Sequence, residues 1–168
     1  MTITLRAAEE ADHPALVRAV QQWWGDSRSP AQASELALLL PRLFLQHFAS
    51  TSLIAEDDGH LAGFLVGFYS ADDPAAAYIH FVGIDPGRRR AGLGRRLYET
   101  FFAAATVAGR QLVRAVTSPG NQGSIAFHRG MGFQLEPGDR EVDGVPVRAD
   151  YDGPGQDRVC FRLDLLAG

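Results

Sequence analysis

An arginine- and glycine-rich segment at residues 82–97 has the composition of an anion-binding loop. It reads VGIDPGRRRAGLGRRL, and five of the sixteen basic residues of the chain lie between Arg88 and Arg96. Backbone N–H groups at a turn before a helix can point into one concavity, and the helix N-terminus adds a partial positive charge. Gly92 and Gly94 lack a Cβ, so a phosphate group can approach the backbone closely. The segment therefore predicts a site for an anionic small ligand.

Two other phosphate-binding motifs do not fit this segment. The dinucleotide fingerprint requires a third glycine three positions after the second, and Leu97 stands there. The Walker A loop requires Gly-Lys-Ser/Thr, and the chain contains no lysine. The spacing alone still leaves one alternative open, which is an exposed arginine face on a glycine-containing loop that binds no ligand.

Hydrophobic periodicity and turn signals predict the elements that position this segment. A strand is expected to end at Pro86, and Leu93 and Leu97 then recur at helical spacing. Pro41 is expected to kink or split the helix that contains it, and residues 137–158, rich in Gly, Pro and Asp, are expected to form a long loop. The predicted strands are 2–6, 53–56, 61–69, 77–84, 112–117 and 159–165, with an extended stretch from Gln134, and the predicted helices are 12–22, 34–48, 92–108 and 124–130. This order predicts a mixed sheet in an α/β or α+β domain.

The composition is that of a soluble globular protein and limits its partners. Hydrophobic residues make up 46% and charged residues 21% of the 168 residues, which predicts a single domain over 1–168. A formal net charge of −4 argues against general nucleic-acid binding. Cys160 is the only cysteine, so no intrachain disulfide and no bound metal are expected. The sequence shows neither a signal-peptide pattern nor a membrane-spanning apolar run, so we expect a cytoplasmic protein.

Two segments, in order, resemble the signature of the GNAT superfamily of acyl-CoA N-acyltransferases. Arg89-x-x-Gly92-x-Gly94 is similar to the Arg/Gln-x-x-Gly-x-Gly/Ala motif of that superfamily. The segment NQGSIAFHRGMGF at residues 121–133 is similar to its Asn…Ala-x-x-Phe-Tyr-x-x-x-Gly-Phe segment. The resemblance is close over residues 53–134 and weak on either side.

The resemblance implies the GNAT fold. That fold is a mixed, mostly antiparallel sheet of six or seven strands, flanked by about four helices and splayed in the middle, with acetyl-CoA inserted in the splay. Pairing between the strands at 77–84 and 112–117 is therefore expected to be incomplete near Val82–Ile84. Gly83 and Pro86 are expected to weaken continuous pairing there.

The resemblance also implies how acetyl-CoA would bind as cosubstrate. The backbone of Val82 and Ile84 would pair with the pantetheine arm as an added strand, and the glycine-rich loop would hold the pyrophosphate. Asn121 would hydrogen-bond the pantetheine arm, while Arg88 or Arg95 would reach the 3′-phosphate. The predicted cofactor-binding residues are Val82, Gly83, Ile84, Arg88, Arg89, Arg90, Ala91, Gly92, Leu93, Gly94, Arg95, Asn121, Ser124, Phe127 and His128.

Amine acetylation requires a base for the acceptor, a donor to the oxyanion and an acid for the departing thiolate. Most relatives carry a tyrosine as that acid, and this sequence has His128 in its place, whose imidazole can also donate a proton. The alternative for His128 is a helix histidine that only forms hydrogen bonds. His80 is the candidate base, because the period of two places it on one strand face with Tyr78, which would line the site. The alternative for His80 is a core or cross-strand histidine.

Acceptor-binding residues are predicted where the resemblance is weakest. Trp24 and Asp26 combine an aromatic wall with a carboxylate that could hold a cation, and so do Tyr151 and Asp152. Ordinary loop or core packing is the alternative for each. The sequence thus predicts an N-acetyltransferase that moves an acetyl group from acetyl-CoA to a primary amine of a small molecule or peptide in a ternary complex. A catalytically silent acyl-CoA-binding domain is the alternative, since His128 replaces the usual tyrosine, and a homodimer is left open.

Overall fold

The computed structural model describes residues 2–25 and 28–167, and these form nine strands and five α-helices. The strands are β1 (Ile3–Ala7), β2 (Leu53–Asp57), β3 (His60–Tyr69), β4 (Ala76–Ile84), β5 (Leu112–Thr117), β6 (Gln134–Leu135), β7 (Arg140–Val142), β8 (Val145–Val147) and β9 (Val159–Asp164). The helices are α1 (His13–Trp23), α2 (Pro30–Ala37), α3 (Leu43–His47), α4 (Leu93–Val107) and α5 (Gln122–Gly130). None of the helices within these described ranges has the length and apolar character needed to cross a membrane.

Seven of the strands share one sheet, in the order β1-β2-β3-β4-β5-β9-β6, while β7 and β8 pair with each other. The sheet is mostly antiparallel, and β4 and β5 form a parallel pair. The predicted mixed sheet of six or seven strands is therefore confirmed.

The parallel ladder between β4 and β5 is short. Its residue pairs are Ala76–Leu112, Ala77–Val113 and Tyr78–Arg114. The ladder ends at Tyr78, so the end of β4 around Val82–Ile84 lies beyond it, as the resemblance predicts. Because the ladder stops upstream of Gly83, that glycine and Pro86 are not what ends the pairing.

The chain divides into two compact units, and the first combines Met1–Tyr69 with Ile79–Ala104. Leu16 and Val20 lie one helical turn apart in α1 and are buried in its core. The strands contribute further buried residues to the same core, namely Ile54, Phe64, Val66 and Phe81. This core carries the strand that leads into the glycine-rich loop.

The helix predicted over 34–48 is in fact two shorter helices. α2 begins after Ser29, whose hydroxyl accepts a hydrogen bond from Gln32 N–H at 3.1 Å in a capping box. α3 begins after Pro41, which has no N–H with which to continue a helical ladder. The split at Pro41 is one of the two predicted outcomes. The start at Pro30 differs from the prediction, because the Ser29 cap was not recognised.

The second unit combines Ser70–Tyr78 with Ala105–Gly168, and β9 pairs on both sides within it. The prediction of a long loop over 137–158 is wrong in part, because β7 and β8 form a hairpin there. Asp143 and Gly144 make its turn with φ values of 51° and 79°. An Asp-Gly pair flanked by valines is a recognised hairpin signal, and it could have identified this hairpin from the sequence.

Candidate functional site

The glycine-rich loop of the first unit is built by neighbouring residues. After β4, Asp85 Oδ1 accepts a hydrogen bond from Gly87 N–H at 3.0 Å and begins a 3-10 turn over Pro86–Ala91. Gly92 follows with φ 73°, a left-handed conformation that favours glycine. Arg96 N–H donates to Gly92 O at 3.1 Å, which marks the start of α4. We call residues 85–96 the cradle.

The start of α4 presents backbone donors to the cradle. The N–H groups of Leu93, Gly94 and Arg95 precede the first intrahelical hydrogen bond, so α4 itself offers them no carbonyl partner. Apart from the neighbours of Gly92 in the chain, no atom of the described residues lies within 4 Å of a Cβ built there, so this side of Gly92 is open. Together with the partial positive charge of a helix N-terminus, this arrangement can bind a phosphate group.

The arginines of the cradle differ in what they contact. Arg88 Nε donates to Asp57 Oδ2 at 3.1 Å, and the same guanidinium pairs with Asp85. These contacts tie Arg88 to the β2–β3 hairpin and replace its predicted role at the 3′-phosphate with a structural one. Arg89 is exposed and forms no ion pair within the described part of the chain. The side chain of Arg90 lies outside the described side chains.

The remaining cradle side chains have modest roles. Arg95 Nη1 lies 3.4 Å from Glu99 Oε1 one helical turn on, and both side chains are more than half exposed. A surface pair of this kind contributes little to stability. Ala91 is exposed, whereas the Leu93 side chain is buried in the core. Leu93 can therefore serve a ligand through its backbone.

Burial alternates along the end of β4, as the period of two predicts. Val82 and Ile84 are half-buried, while Gly83 between them is buried. A Cβ on Gly83 would lie 2.5 Å from the ring of Phe64. The absence of a side chain at Gly83 is therefore required by core packing, and its place among the cofactor-binding residues stays a prediction.

His80 has a defined ring orientation in the first unit. Its imidazole stacks on Phe44 with ring centroids 4.2 Å apart and planes 8° apart. Its Nε2 lies within hydrogen-bonding distance of Leu39 O. A carbonyl oxygen can only accept, so Nε2 carries the proton of the neutral ring and Nδ1 carries the lone pair. This tautomer is one that a general base can use.

The tryptophan predicted to contact the acceptor packs in the core of the first unit. Trp24 lies edge-on to Phe81 with centroids 5.7 Å apart, and both belong to the apolar cluster. This packing corrects the predicted acceptor role of Trp24, because its ring is committed to the core. Asp26, the carboxylate predicted beside it, lies outside the described residues.

Helix α5 of the second unit carries the residues of the predicted second motif. Asn121 caps the helix, since its Oδ1 accepts a hydrogen bond from Ser124 N–H at 3.1 Å. The cap uses the Oδ1 of Asn121, so the Nδ2–H group of the same side chain can donate a hydrogen bond to a carbonyl oxygen of a ligand. Phe127 is 37% exposed, which is unusual for so large an apolar side chain. Both features fit the cofactor contacts that the resemblance implies.

His128 is buried in the second unit and is only 6% exposed. Its ring stacks on Phe161 with centroids 4.4 Å apart, and Nδ1 lies 2.7 Å from Ser124 O. Nδ1 therefore carries the proton of the neutral ring, and burial lowers the pKa of the imidazole. Proton delivery from Nε2 would require the imidazolium, which burial disfavours. The geometry thus favours the packing alternative for His128 over the predicted acid.

The second unit contains a cavity of about 120 Å³ in which charged and aromatic side chains meet. We call it the arginine cavity, and its lining residues are Tyr78, Arg114, Ala115, Val116, Glu136, Arg148, Tyr151, Cys160 and Phe161. Burial raises the pKa of Tyr78 and of Tyr151, which keeps both phenols protonated. Tyr78 and Tyr151 were predicted as site residues, and the structure brings them to one cavity. Sequence reasoning missed Arg114, Glu136 and Arg148, because no spacing signal connects them.

The loop that carries Tyr151 is held by its own polar groups. Asp157 Oδ1 accepts a hydrogen bond from Asp150 N–H at 2.8 Å. Asp152 Oδ2 pairs with Arg158 Nε at 2.8 Å, so its charge is already neutralised inside the loop. This pairing corrects the prediction that Asp152 holds a cationic acceptor. Tyr151 is half-exposed and remains available to a ligand.

The chain matches a known protein family over most of its length. The sequence profile of the acetyltransferase (GNAT) family aligns with residues 16–133. This range includes the cradle and the whole of the second motif at residues 121–133.

Curated proteins similar to this chain share one kind of name. The chain is 29% identical over 126 residues to the L-2,4-diaminobutyric acid acetyltransferase of Nocardia farcinica, covering 75% of this chain and 62% of that protein. It is 30% identical over 124 residues to the protein of the same name from Vibrio parahaemolyticus, covering 73% of this chain and 68% of that protein. The chain spans about three fifths of the length of the Nocardia relative.

A solved structure has a similar fold. It is the diaminobutyrate acetyltransferase of Paenibacillus lautus in complex with its substrate L-2,4-diaminobutyric acid and coenzyme A. The TM-score is 0.70 at 19% identity, over 97% of this chain and 95% of that chain. At this identity the likeness establishes the fold.

Proposed function

The chain belongs to the acetyltransferase (GNAT) family, and from this premise we propose that it transfers the acetyl group of acetyl-CoA to a primary amine of a small molecule. The amine nitrogen would attack the thioester carbonyl carbon directly, within a ternary complex. The C–N bond forms, the C–S bond breaks and coenzyme A leaves as the thiolate. The nitrogen loses its second proton in this step, and the thiolate takes up a proton to give the free thiol. The proton of the acceptor ammonium passes to a base before the attack.

One observation carries the cofactor assignment, and it is the open space at Gly92. The left-handed turn at Gly92 lies directly before the first amides of α4, and a Cβ built there meets no described atom within 4 Å beyond its chain neighbours. A pyrophosphate is an anion that such amides bind, and Arg89 adds an exposed charge beside them.

Further contacts to acetyl-CoA are assigned by motif position and by exposure. The backbone of Val82 and Ile84 would pair with the pantetheine arm, because the β4–β5 ladder has ended before these residues. The amide of Asn121 would donate to a pantetheine carbonyl, and the exposed Phe127 would cover the cofactor.

We assign the acceptor to a small diamine that carries a carboxylate, with L-2,4-diaminobutyric acid as the test compound. Two similar curated proteins bear that name, and one solved relative was determined with that acid bound. The names of the curated relatives therefore favour a small-molecule acceptor over the peptide acceptor that the sequence alone left open.

His80 is the proposed base. Its Nε2–H donates to Leu39 O and its ring rests on Phe44, so the imidazole is held with the lone pair on Nδ1. His80→Gln should lower kcat by roughly 10²-fold, the lower end for general-base help, with little change in acetyl-CoA affinity. His128→Phe is the matched control, because its ring already serves packing, and kcat should stay within about threefold of wild type. A hundredfold loss in His128→Phe together with wild-type kcat in His80→Gln would reverse the two assignments.

The proposed function is tested by thiol release from acetyl-CoA. The protein is mixed with acetyl-CoA and L-2,4-diaminobutyric acid, and free coenzyme A is followed with a thiol reagent while the acetylated product is identified by mass spectrometry. We expect release that depends on the amine and yields one acetyl group on the acceptor. Binding of acetyl-CoA by calorimetry without thiol release from any of a panel of amines would instead identify the silent acyl-CoA-binding domain.

A further inference from the structure

We propose that the arginine cavity binds the carboxylate of an amino-acid acceptor through Arg114 and Arg148. The proposal rests on the proposed acetyl transfer and assigns a further binding site to it. It concerns residues of the second unit that neither the sequence motifs nor the family signature includes.

The charges in the cavity do not cancel. Glu136 is 19% exposed and lies 3.6 Å from Arg114 Nε and 3.7 Å from Arg148 Nη2. One carboxylate therefore faces two guanidinium groups, neither of which it contacts at hydrogen-bonding distance. The neighbouring charges of Asp152 and Arg158 neutralise each other at 2.8 Å and leave this balance unchanged. The cavity thus has one positive charge in excess, which favours an anionic ligand.

One donor in the cavity lacks an acceptor. The Nε of Arg114 is buried and has no hydrogen-bond partner among the described residues. A buried N–H without an acceptor costs free energy, and a ligand that supplies an oxygen removes that cost. Guanidinium groups match carboxylate oxygens in geometry and charge. A carboxylate between Arg114 and Arg148 would satisfy the donor and the excess charge together.

The size and the walls of the cavity restrict the ligand. A volume near 120 Å³ is well below the roughly 300–1,000 Å³ of a pocket for a whole drug-sized ligand. This space suits a carboxylate and the few atoms attached to it, and not a folded or extended peptide. Tyr78 and Tyr151 contribute phenol groups that can hydrogen-bond a carboxylate, since their raised pKa values keep the O–H in place. The cavity therefore fits one end of a small amino acid.

The test compares two acceptors that differ in the carboxylate alone. L-2,4-Diaminobutyric acid and 1,3-diaminopropane have the same chain of carbons between two amines, and the second lacks the carboxylate. Wild-type protein should show a higher kcat/KM for the acid. Arg148→Gln and Arg114→Gln should each lower kcat/KM for the acid by roughly 30-fold, the lower end for loss of a charged partner, because both side chains are partly exposed. In these variants, kcat/KM for 1,3-diaminopropane and KM for acetyl-CoA should each change by less than about threefold.

Arg162→Gln is the matched control variant. Arg162 lies on β9 in register with Arg114, but its guanidinium pairs with Asp164 at 2.9 Å and it does not line the cavity. Its substitution removes the same charge from the same sheet and should leave the preference for the acid unchanged. Thermal melting of all three variants checks that the fold is retained.

The inference is overturned if wild-type protein has the same kcat/KM for the two acceptors. It is also overturned if the cavity variants lower kcat/KM for L-2,4-diaminobutyric acid and for 1,3-diaminopropane by the same factor. A third contrary result is a loss of affinity for acetyl-CoA in these variants, because the cavity would then bind a phosphate of the cofactor. If no amine supports thiol release, the proposed function fails, and calorimetric titration of L-2,4-diaminobutyric acid into the protein decides the inference on its own. Binding that is lost in Arg148→Gln and kept in Arg162→Gln supports the cavity, and absence of binding to wild type rejects it.

Discussion

The cradle and the arginine cavity are both suited to anions, but they are built in opposite ways. The cradle uses backbone N–H groups from residues that follow one another in the chain, with Gly92 at φ 73° and the start of α4 beside it. The arginine cavity uses side chains from β4, β5, β9 and two loops, and its arginines are 34 positions apart in the sequence. Backbone donors are the same for every residue type except proline, whereas side-chain donors change with each substitution.

This difference suggests which part of the protein can vary. A cradle of backbone amides depends on glycine and on a helix start, so most of its side chains can change without removing the donors. A cavity lined by side chains can change its ligand by one substitution without disturbing the strands that carry it. We therefore associate the cradle with the shared cosubstrate and the arginine cavity with the choice of acceptor.

The largest expected effect is that of a substitution at Gly92. If this substitution had no effect on acetyl-CoA affinity, the cradle would not bind its ligand through the backbone. Gly92→Val places a branched side chain in the open space beside the first amides of α4. Affinity for acetyl-CoA should fall more than tenfold, or about 1.4 kcal/mol, in calorimetric titration.

Gly109→Val provides the control for backbone strain. Gly109 has φ 83°, and a Cβ there also meets no atom within 4 Å, but it lies beyond the other end of α4. Both variants should lose similar stability, because valine is strained at positive φ. Equal losses of acetyl-CoA affinity in the two variants would trace the effect to strain and remove Gly92 from the site.

A smaller effect on acetyl-CoA affinity is expected from substituting the arginines at the rim of the cradle. This effect measures how much the side chains add to binding by the backbone. Arg89→Gln should lower the affinity for acetyl-CoA by about threefold at low salt and by less at high salt, because the charge of Arg89 is exposed and screened by salt. Arg88→Gln should instead lower the Tm, because Asp57, 12% exposed, loses the partner 3.1 Å away. If Arg88→Gln lowers the affinity for acetyl-CoA and leaves the Tm unchanged, the predicted contact of Arg88 with the 3′-phosphate is supported.

The smallest effect concerns the support of the arginine cavity. Phe161 lines the cavity and stacks on His128, whose pKa is lowered by burial. As the pH falls through about 6.5, the unfolded chain binds a proton at this position that the folded protein does not, so stability declines. His128→Phe keeps an aromatic ring against Phe161 and removes this decline, which for one proton is at most about 1.4 kcal/mol per pH unit.

Urea denaturation of wild type and His128→Phe between pH 8 and pH 5 measures this difference. The two stability curves should run together above pH 7 and separate below it, with the wild type losing more. Curves that stay parallel over the whole range would show that His128 is not buried as a neutral ring.

Short-range signals in the sequence were enough for the cradle and for most elements of the sheet. The strand–turn–helix order, the spacing from Arg89 to Gly94 and the Asn121 cap each depend on residues a few positions apart. Errors arose where a local signal was overlooked, as with the Ser29 cap of α2 and the Asp143-Gly144 turn. Such features follow from backbone geometry, which neighbouring residues largely determine.

Only the tertiary structure decided what individual side chains do. It assigned Arg88 to Asp57, Trp24 to the core and Asp152 to Arg158, and it gathered Arg114, Glu136 and Arg148 around one cavity. Pattern and spacing contain no information on these contacts, because the partners are far apart in the chain and meet through packing and strand register. Local sequence patterns thus identified the family and the strand–turn–helix arrangement of the cradle. The tertiary structure decided which charges are already paired and which remain available to a ligand.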